Sequence, residues 1–395
     1  MPRWFYFLLA LAVVAPILAL VGGSQQETAI FIFSALSLIP LAAILGHTTE
    51  ELAYYVGPIA GGLLNATFGN APELIICIFA LRGGLIPVVK ASITGSVISN
   101  ALLVLGSALA LGGWRFGRQY FSNRDAGQYS AMLLMSVAGF LIPFIASLTL
   151  QDPARLQFIN TGISVILLLV YLCYLALHIF GVRSRRRNPT HRAHKLLTPL
   201  QHRRQEEEEE DEGEEEEEQE QRTRVATGGL AIQGQEEEQA PHPLLWLTIL
   251  MLLGTTLATA WNSELLVDAI EPVAKNLGWS PVFIGLVIIP IVGNAAEHSS
   301  ALLLAYKDRI DLSMAIAAGS SIQVATFVAP LLVLISLVMS THLDLVFSPL
   351  ELALIGLATI LFTIISLNGE STWLAGIQLI AVYIMACIVF FVLPG

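Results

Sequence analysis

Gly69-Asn70-Ala71-Pro72-Glu73 and Gly293-Asn294-Ala295-Ala296-Glu297 are two copies of one motif, 224 residues apart, each set inside an apolar run. Each copy puts a carboxylate where sequence that spans hydrocarbon should carry none. A charge at the bilayer centre costs about 2.5–3.5 kcal/mol on the insertion scale, so acids within spans are rare and mark functional positions. Two of them in matching places point to one shared site, built from two halves of a duplicated chain. The fitting occupant of a two-carboxylate pocket is a cation.

Composition agrees with a membrane setting. The chain of 395 residues is 55% hydrophobic and 13% charged, where a soluble domain carries about 25% charged residues. The expected class is an all-α polytopic membrane protein, with the lipid bilayer as its solvent. The net charge of -11 is local: sixteen of the 31 acids lie between Glu206 and Glu238. Elsewhere acids and bases nearly balance, so no nucleic acid or other charged partner follows from net charge. Cys77, Cys173 and Cys387 are too scattered for a disulfide framework or a zinc site and read as small buried hydrophobes.

A helix needs about 20 apolar residues to cross the hydrocarbon core. That rule predicts eleven spans, at 4–22, 28–48, 57–81, 86–112, 127–150, 157–181, 243–266, 280–305, 312–340, 347–367 and 372–393. They must be helices, because no series of alternating strands of about ten residues is present. The first span shares features with a signal peptide: Arg3, an apolar stretch, then Gly22-Gly23-Ser24. Its apolar stretch is long for a signal core and the next span follows at once, which favours a membrane helix. Basic residues set the orientation. With the N-terminus in the cytoplasm, Arg115, Arg118, Arg124, the run from Arg183 to Arg187, Lys307 and Arg309 fall inside, and Gly395 falls outside.

Residues 183–242 break the membrane pattern. An Arg-rich start leads into Glu206 to Glu220, almost unbroken, and then into Gly/Gln-rich sequence. Like charges at this density repel and offer no apolar face, so a disordered cytoplasmic linker is expected. It reads as a solvated tether; the sharper alternative is a cation-collecting or regulatory segment. On either side of it the halves align at the offset of 224. Ala91, Gly95, Ser96, Ile98 and Ala101 fall on Ala315, Gly319, Ser320, Ile322 and Ala325, and Gly61 falls on Gly285. Five spans per half is an odd number, so the copies face opposite ways in the membrane, the inverted-repeat plan of secondary transporters. The predicted domains are 1–26, an extra N-terminal helix; 27–182, the first five-helix repeat; 183–242, the linker; and 243–395, the second repeat.

Around each motif the residue types suit an ion site. Pro72 clashes with the carbonyl of Phe68, so the helix should break there and free carbonyls around Ala66 to Phe68. Pro290 plays the same part in the second copy, near Leu286. Freed carbonyls at membrane depth survive where they line a cavity, and a hard cation such as calcium takes roughly 6–8 oxygen ligands. Asn70 and Asn294 stand beside the acids. Ser96 and Ser99, and Ser320 and Gln323, lie one turn apart on the next span and could add oxygens, as could the amide of Asn100; the alternative is helix packing, the better reading for Gly95 and Gly319. His298 could modulate Glu297 or hydrogen-bond a neighbouring helix. Glu50 and Glu51, with His47 one turn before, and Glu264 and Asp268 sit near span ends. They are either solvated interfacial acids or gates.

Two carboxylates close together in low dielectric cannot both stay ionised, and they titrate as a unit. A divalent ion reverses this by neutralising both and expelling protons. If each occupied form can switch access and the empty charged form cannot, coupled counter-transport follows. Carboxylates plus carbonyls favour calcium or manganese over softer metals.

Asn65-Ala66-Thr67-Phe68-Gly69-Asn70-Ala71-Pro72-Glu73-Leu74-Ile75 and Pro290-Ile291-Val292-Gly293-Asn294-Ala295-Ala296-Glu297-His298 resemble the calcium/proton antiporter (CAX) family of the cation/calcium exchanger superfamily. The resemblance covers the chain outside the linker. It implies an eleven-helix antiporter, not an enzyme, that exports calcium in exchange for protons. Glu73 and Glu297 would bind the two in turn, with Ser96, Ser99, Ser320 and Gln323 as selectivity positions. It implies no cofactor, since calcium and protons are cargo, and a bacterial inner membrane or, alternatively, a vacuolar one; the short segment before the first span favours a bacterium. A homo-oligomer stays open. The competing readings are a sodium/calcium or broad divalent exchanger, a channel with an acidic filter, and an intramembrane hydrolase, for which the Gly-Asn-Ala surroundings offer no nucleophile.

Overall fold

Long apolar runs without a polar stripe can satisfy their backbone in lipid only as helices, and helices are what these runs form. A computed structural model describes residues 3–22, 26–185 and 245–393. In chain order the helices are α1 (Arg3–Val21), α2 (Glu27–Val56), α3 (Pro58–Phe68), α4 (Ala71–Arg82), α5 (Ile86–Phe116), α6 (Asn123–Thr149) and α7 (Pro153–Arg185) in the first half. The second half holds α8 (Leu245–Asp268), α9 (Ile270–Leu277), α10 (Pro281–Gly293), α11 (Ala295–Tyr306), α12 (Ile310–Ser336), α13 (Pro349–Leu367) and α14 (Trp373–Val392). Local chemistry sets their ends. Ser348 and Glu351 form a reciprocal capping box at the start of α13, with Pro349 in its first turn. Gly117, at φ 83°, turns the chain out of α5 in a conformation that disfavours any side chain.

Among the described residues eight helices are long and apolar enough to cross a membrane: α2, α5, α6, α7, α8, α12, α13 and α14. α1 is a shorter apolar helix, Phe5–Val21. Two further helix pairs are apolar enough to cross together but bend at a short break: Ala60–Phe68 with Ala71–Arg82, at 51° across Gly69 and Asn70, and Ile270–Leu277 with Pro281–Gly293, at 115°. α10 in turn ends at Asn294, where α11 begins. α9 is a short amphipathic helix bent 115° from α10; it buries Ile270, Val273 and Ala274 on one side.

The layers follow burial. In α5 and α12, 83% of the apolar span is buried, so these two helices form the centre. In α6, α7, α8 and α14 the share is 22–28%, and their outer faces show Leu148, Phe158, Trp246 and Ile388. Such faces belong against acyl chains. α2 and α8 pack side by side. Asn262 ties α1 to this pair, donating to the Ala12 carbonyl (3.1 Å) and accepting from the Ser37 hydroxyl (3.0 Å). At one end of the bundle Gln119–Tyr120 pairs antiparallel with Glu370–Ser371, and Gln119 donates to Asp308 (3.1 Å). The loops after α5, α11 and α13 therefore share one face, the face that collects Arg115, Arg118, Lys307 and Arg309.

Three expectations need correction. α7 runs to Arg185, three residues into the stretch assigned to the linker; the remainder of that acidic linker, from residue 186, lies outside the described residues, as does the Gly23-Ser24 part of the signal-peptide pattern. Cys173 is exposed and Cys387 half-buried, and of the three cysteines Cys77 alone is buried; Cys173 lies on the outer face of α7, where lipid makes an apolar thiol as suitable as in a core. The carbonyls near the breaks are not simply freed, because the Ala66 and Pro290 carbonyls accept from asparagine side chains.

Candidate cation-binding site

The helix breaks at Gly69-Asn70 rather than at Pro72. Pro72 falls within the first two positions of α4, where its missing N–H leaves no hydrogen bond unmade. Asn70 (φ −105°, ψ 20°) and Asn294 (φ −92°, ψ 19°) adopt the same non-helical conformation. Each then reaches back with its side chain. Asn70 Nδ2 donates to the Ala66 carbonyl (3.0 Å) and Asn294 Nδ2 to the Pro290 carbonyl (3.1 Å). Ala66 and Pro290 are themselves 224 residues apart, so the motif asparagines cap the breaks identically in both halves. The Ala66 carbonyl is thus occupied. The Leu286 carbonyl is directed at Gly95, where any Cβ would collide with it. This fits the packing reading of Gly95 and turns that carbonyl toward α5.

The asparagines also stitch the halves together. Asn70 Nδ2 donates to Gln323 Oε1 (2.8 Å) on α12. Asn294 Nδ2 donates to Ser96 Oγ (3.2 Å) on α5, while Asn294 Oδ1 accepts from Ser320 Oγ (3.2 Å). Asn100 Nδ2 donates to that same Ser320 Oγ (2.8 Å). Asn70, Asn294, Ser96, Ser320, Gln323 and Asn100 are all buried in one polar layer at the crossing of the broken spans with α5 and α12. Ser99 is buried beside them but donates to its own helix, at the Ser96 carbonyl (3.3 Å). A hydroxyl or amide in lipid that lacks a partner costs several kcal/mol, and these residues meet that demand across the two halves.

Glu73 sits at the start of α4, 3% exposed. A Cβ at Gly293 would lie 2.6 Å from its Oε1, so the glycine of the second motif makes room for the carboxylate of the first. Glu73 Oε2 and Asn100 Oδ1 are buried acceptors without a hydrogen-bond partner among the described residues. Glu297, at the start of α11, is half-buried and close enough to act electrostatically on Glu73. Both acids lie in the first turn of their helices, where the exposed N–H groups and dipole favour negative charge. Carboxylate and amide oxygens are the donor types a hard cation takes.

His298 is half-buried, and its Nε2 is buried without a hydrogen-bond partner among the described residues. That nitrogen makes no bond to a neighbouring helix. Glu50 and Glu51 occupy the closing turns of α2, with Glu51 paired to His47 at 3.3 Å. Glu264 is half-buried in the last turn of α8 and Asp268, at its end, is exposed. The four acids stand where the sequence put them, near helix ends. Two contributions escaped sequence reading. Gly293 carries no label as a seat for Glu73, and Tyr171, whose buried ring packs on Phe327 of α12 at 5.5 Å, stands on α7, in an apolar run remote from both motifs.

The sequence profile of the family described as "Sodium/calcium exchanger protein" matches residues 26–180 and 247–392. The Ca(2+)/H(+) antiporter of Synechocystis sp. is 40% identical over 378 residues, covering 93% of this chain and 92% of that protein. The Ca(2+)/H(+) antiporter ChaA of Bacillus subtilis is 37% identical over 396 residues and covers the whole of both. Among solved structures, native YfkE superposes with a TM-score of 0.75 at 33% identity, across 98% of this chain and 100% of that one. With both halves matched and the polar layer between them described, this chain belongs to the sodium/calcium exchanger protein family and is a multi-pass membrane transporter, not an enzyme.

Proposed function

We propose that this protein is an antiporter that exports Ca2+ from the cytoplasm in exchange for H+, by alternating access at one midplane site shared by Glu73 and Glu297. The observation that carries the reading is the seating of the Glu73 carboxylate against Gly293, which brings the acid of one motif into the backbone of the other. The names of the Synechocystis and Bacillus relatives favour calcium and protons as the exchanged pair, and bacterial relatives of this similarity favour a bacterial plasma membrane.

The architecture we infer is eleven spans: the eight long helices, α1, and two spans interrupted at the motif asparagines, α3 with α4 and α10 with α11. α1 stands apart and the rest divide five and five, as an inverted repeat. The matched conformation of Asn70 and Asn294 and their matched capping bonds support this pairing. Supporting roles go to Asn70, Asn294, Ser96, Ser320 and Gln323 as the scaffold that holds the acids, with Ser99 and His298 beside them. If the repeats are inverted, the acids closing α2 and α8 stand at opposite membrane faces, one pair for each access state.

The chemistry follows from competition. Ca2+ binds the deprotonated pair and hydrogen ions bind the vacated pair, so each expels the other. An inward proton gradient then drives calcium outward. Calcium uptake by everted vesicles is expected to collapse when a protonophore is added. Uptake that ignores the protonophore and follows a sodium gradient would establish the second reading, sodium/calcium exchange, which the description of the matching family favours.

A further inference from the structure

Two helices of the polar layer and the motifs end side by side at the basic end of the bundle, and a positive charge stands between them without a counter-ion. α5 closes with Trp114-Arg115-Phe116, and α11 closes with Tyr306, which Lys307 follows. The Arg115 guanidinium lies 4.0 Å from the centre of the Tyr306 ring and 5.3 Å from that of Phe116. Cation–π contact with both rings holds it in place between the two helix ends. The acids of this face are engaged elsewhere. Glu370 pairs with Arg118 (3.5 Å), and Asp308 accepts from Gln119 (3.1 Å). Among the described residues neither Arg115 nor Lys307 has a carboxylate within 4.0 Å. Helix C-termini favour cations, which accounts for basic residues here but supplies no counter-ion. A guanidinium stacked on a ring keeps its N–H groups at the edge, in a fork that matches the oxygens of a phosphate.

The surrounding rings put this fork at headgroup depth. Trp114 is 84% exposed; Tyr306 and Trp373 are exposed as well, and the Trp373 backbone packs on Gly113 of the same turn of α5. Trp and Tyr collect at the membrane–water interface, where one end of the ring is apolar and the other wet. Basic groups between helix ends on the cytoplasmic side take anionic lipid headgroups, and this end is the cytoplasmic one by its share of basic residues. We propose that Arg115 and Lys307 hold the phosphate of an anionic phospholipid at the rim between α5 and α11. Arg115 grips it through two parallel N–H donors, and Lys307 adds a point charge. The bound headgroup fastens to α5 the end of the helix whose first turn carries Glu297. The site does not depend on which ions are exchanged, so its test needs no transport.

Thermal unfolding of the full-length protein in a neutral detergent is followed while phosphatidylglycerol, phosphatidylcholine with the same acyl chains, or glycerol phosphate is added. A ligand of the native state raises the melting temperature. Phosphatidylglycerol is expected to raise it by several degrees, and phosphatidylcholine by much less. Arg115→Gln and Lys307→Gln each remove a charge-assisted bond, so the phosphatidylglycerol concentration at half effect is expected to rise about tenfold. Arg115→Lys keeps the charge without the fork and is expected to fall between. Arg155→Gln removes a charge already paired with Asp152 (3.2 Å) and is expected to respond as wild type. Lys307 is exposed, so its variant carries the test if Arg115→Gln fails to fold. Equal responses from wild type, Arg115→Gln and Lys307→Gln would overturn the site. A loss in Arg155→Gln as large as in Arg115→Gln would also overturn it, since diffuse charge attraction then suffices. Glycerol phosphate that acts as strongly as phosphatidylglycerol would overturn the lipid assignment in favour of a soluble phosphate.

Discussion

Glu73 and Glu297 differ in their surroundings, although their motifs match. Glu73 is buried against Gly293, whereas Glu297 is half-buried and has no counterpart contact with Gly69. Replacing either with glutamine keeps the shape but removes the charge that attracts calcium and the proton that is exchanged. Glu73→Gln and Glu297→Gln are each expected to lower exchange at least about 100-fold, or about 2.7 kcal/mol, with insertion and thermal stability near wild type. Near-normal flux from either variant in proteoliposomes removes that residue from the site. Gly293→Ala tests the seat itself. The added Cβ, 2.6 Å from Glu73 Oε1, must push the carboxylate aside. Calcium affinity by calorimetry is expected to weaken about tenfold, or about 1.4 kcal/mol, while Gly69→Ala, which has no glutamate above it, should not reproduce that loss by the same route.

At the scale of elements, the crossing of α5 with α10 depends on Gly95. There the Leu286 carbonyl and the Pro290 ring occupy the place of a side chain. Gly95→Ala forces two backbones apart, so a fall of several degrees in melting temperature in detergent is expected, of the order of 1–3 kcal/mol of overpacking. An unchanged melting curve would show that the helices can slide apart freely. Much of this level was legible in the sequence. The offset of 224 located both motifs and aligned Ser96 with Ser320, because glycine, asparagine and glutamate are conspicuous against aliphatic residues. What was not legible has physical causes. Hydropathy is blind to bending, so residues 57–81 and 280–305 read as single spans, and the interruptions expected at Pro72 and Pro290 fall instead at Asn70 and Asn294. α9 escaped because eight residues with Glu271 and Lys275 among them cannot resemble a span. The wide π-turns at Ser99–Val104 and Val324–Val328 sit at nearly equivalent points of α5 and α12, yet no residue type marks them. The asparagine caps were missed for another reason: Pro72 looked like the cause of the break, when it is placed where a helix tolerates it.

For the whole molecule, occupancy of one site by calcium and protons in turn ties calcium affinity to pH. If calcium binds only the fully deprotonated pair, its affinity must rise with pH, since each proton still held has to be expelled first. The sign is fixed: lowering pH favours the protonated site and releases calcium, raising it favours the calcium-bound site. The slope counts the protons displaced. A plot of log Kd against pH for wild type is expected to approach −2 where both acids still carry protons, and to flatten to zero at higher pH. A two-unit slope requires both glutamates to act on one ion, so the glutamine variants, to the extent that they bind at all, should not exceed a slope of one. The acidic segment between the halves enters the same measurement as a control. Deleting Glu206 to Glu220 removes many carboxylates, but charges in water at ordinary ionic strength are screened within about 8 Å. The slope is therefore expected to survive the deletion unchanged. A wild-type slope near zero would mean that protons and calcium occupy different places, and a slope lost with the acidic segment would move the exchange from the two motifs to that segment.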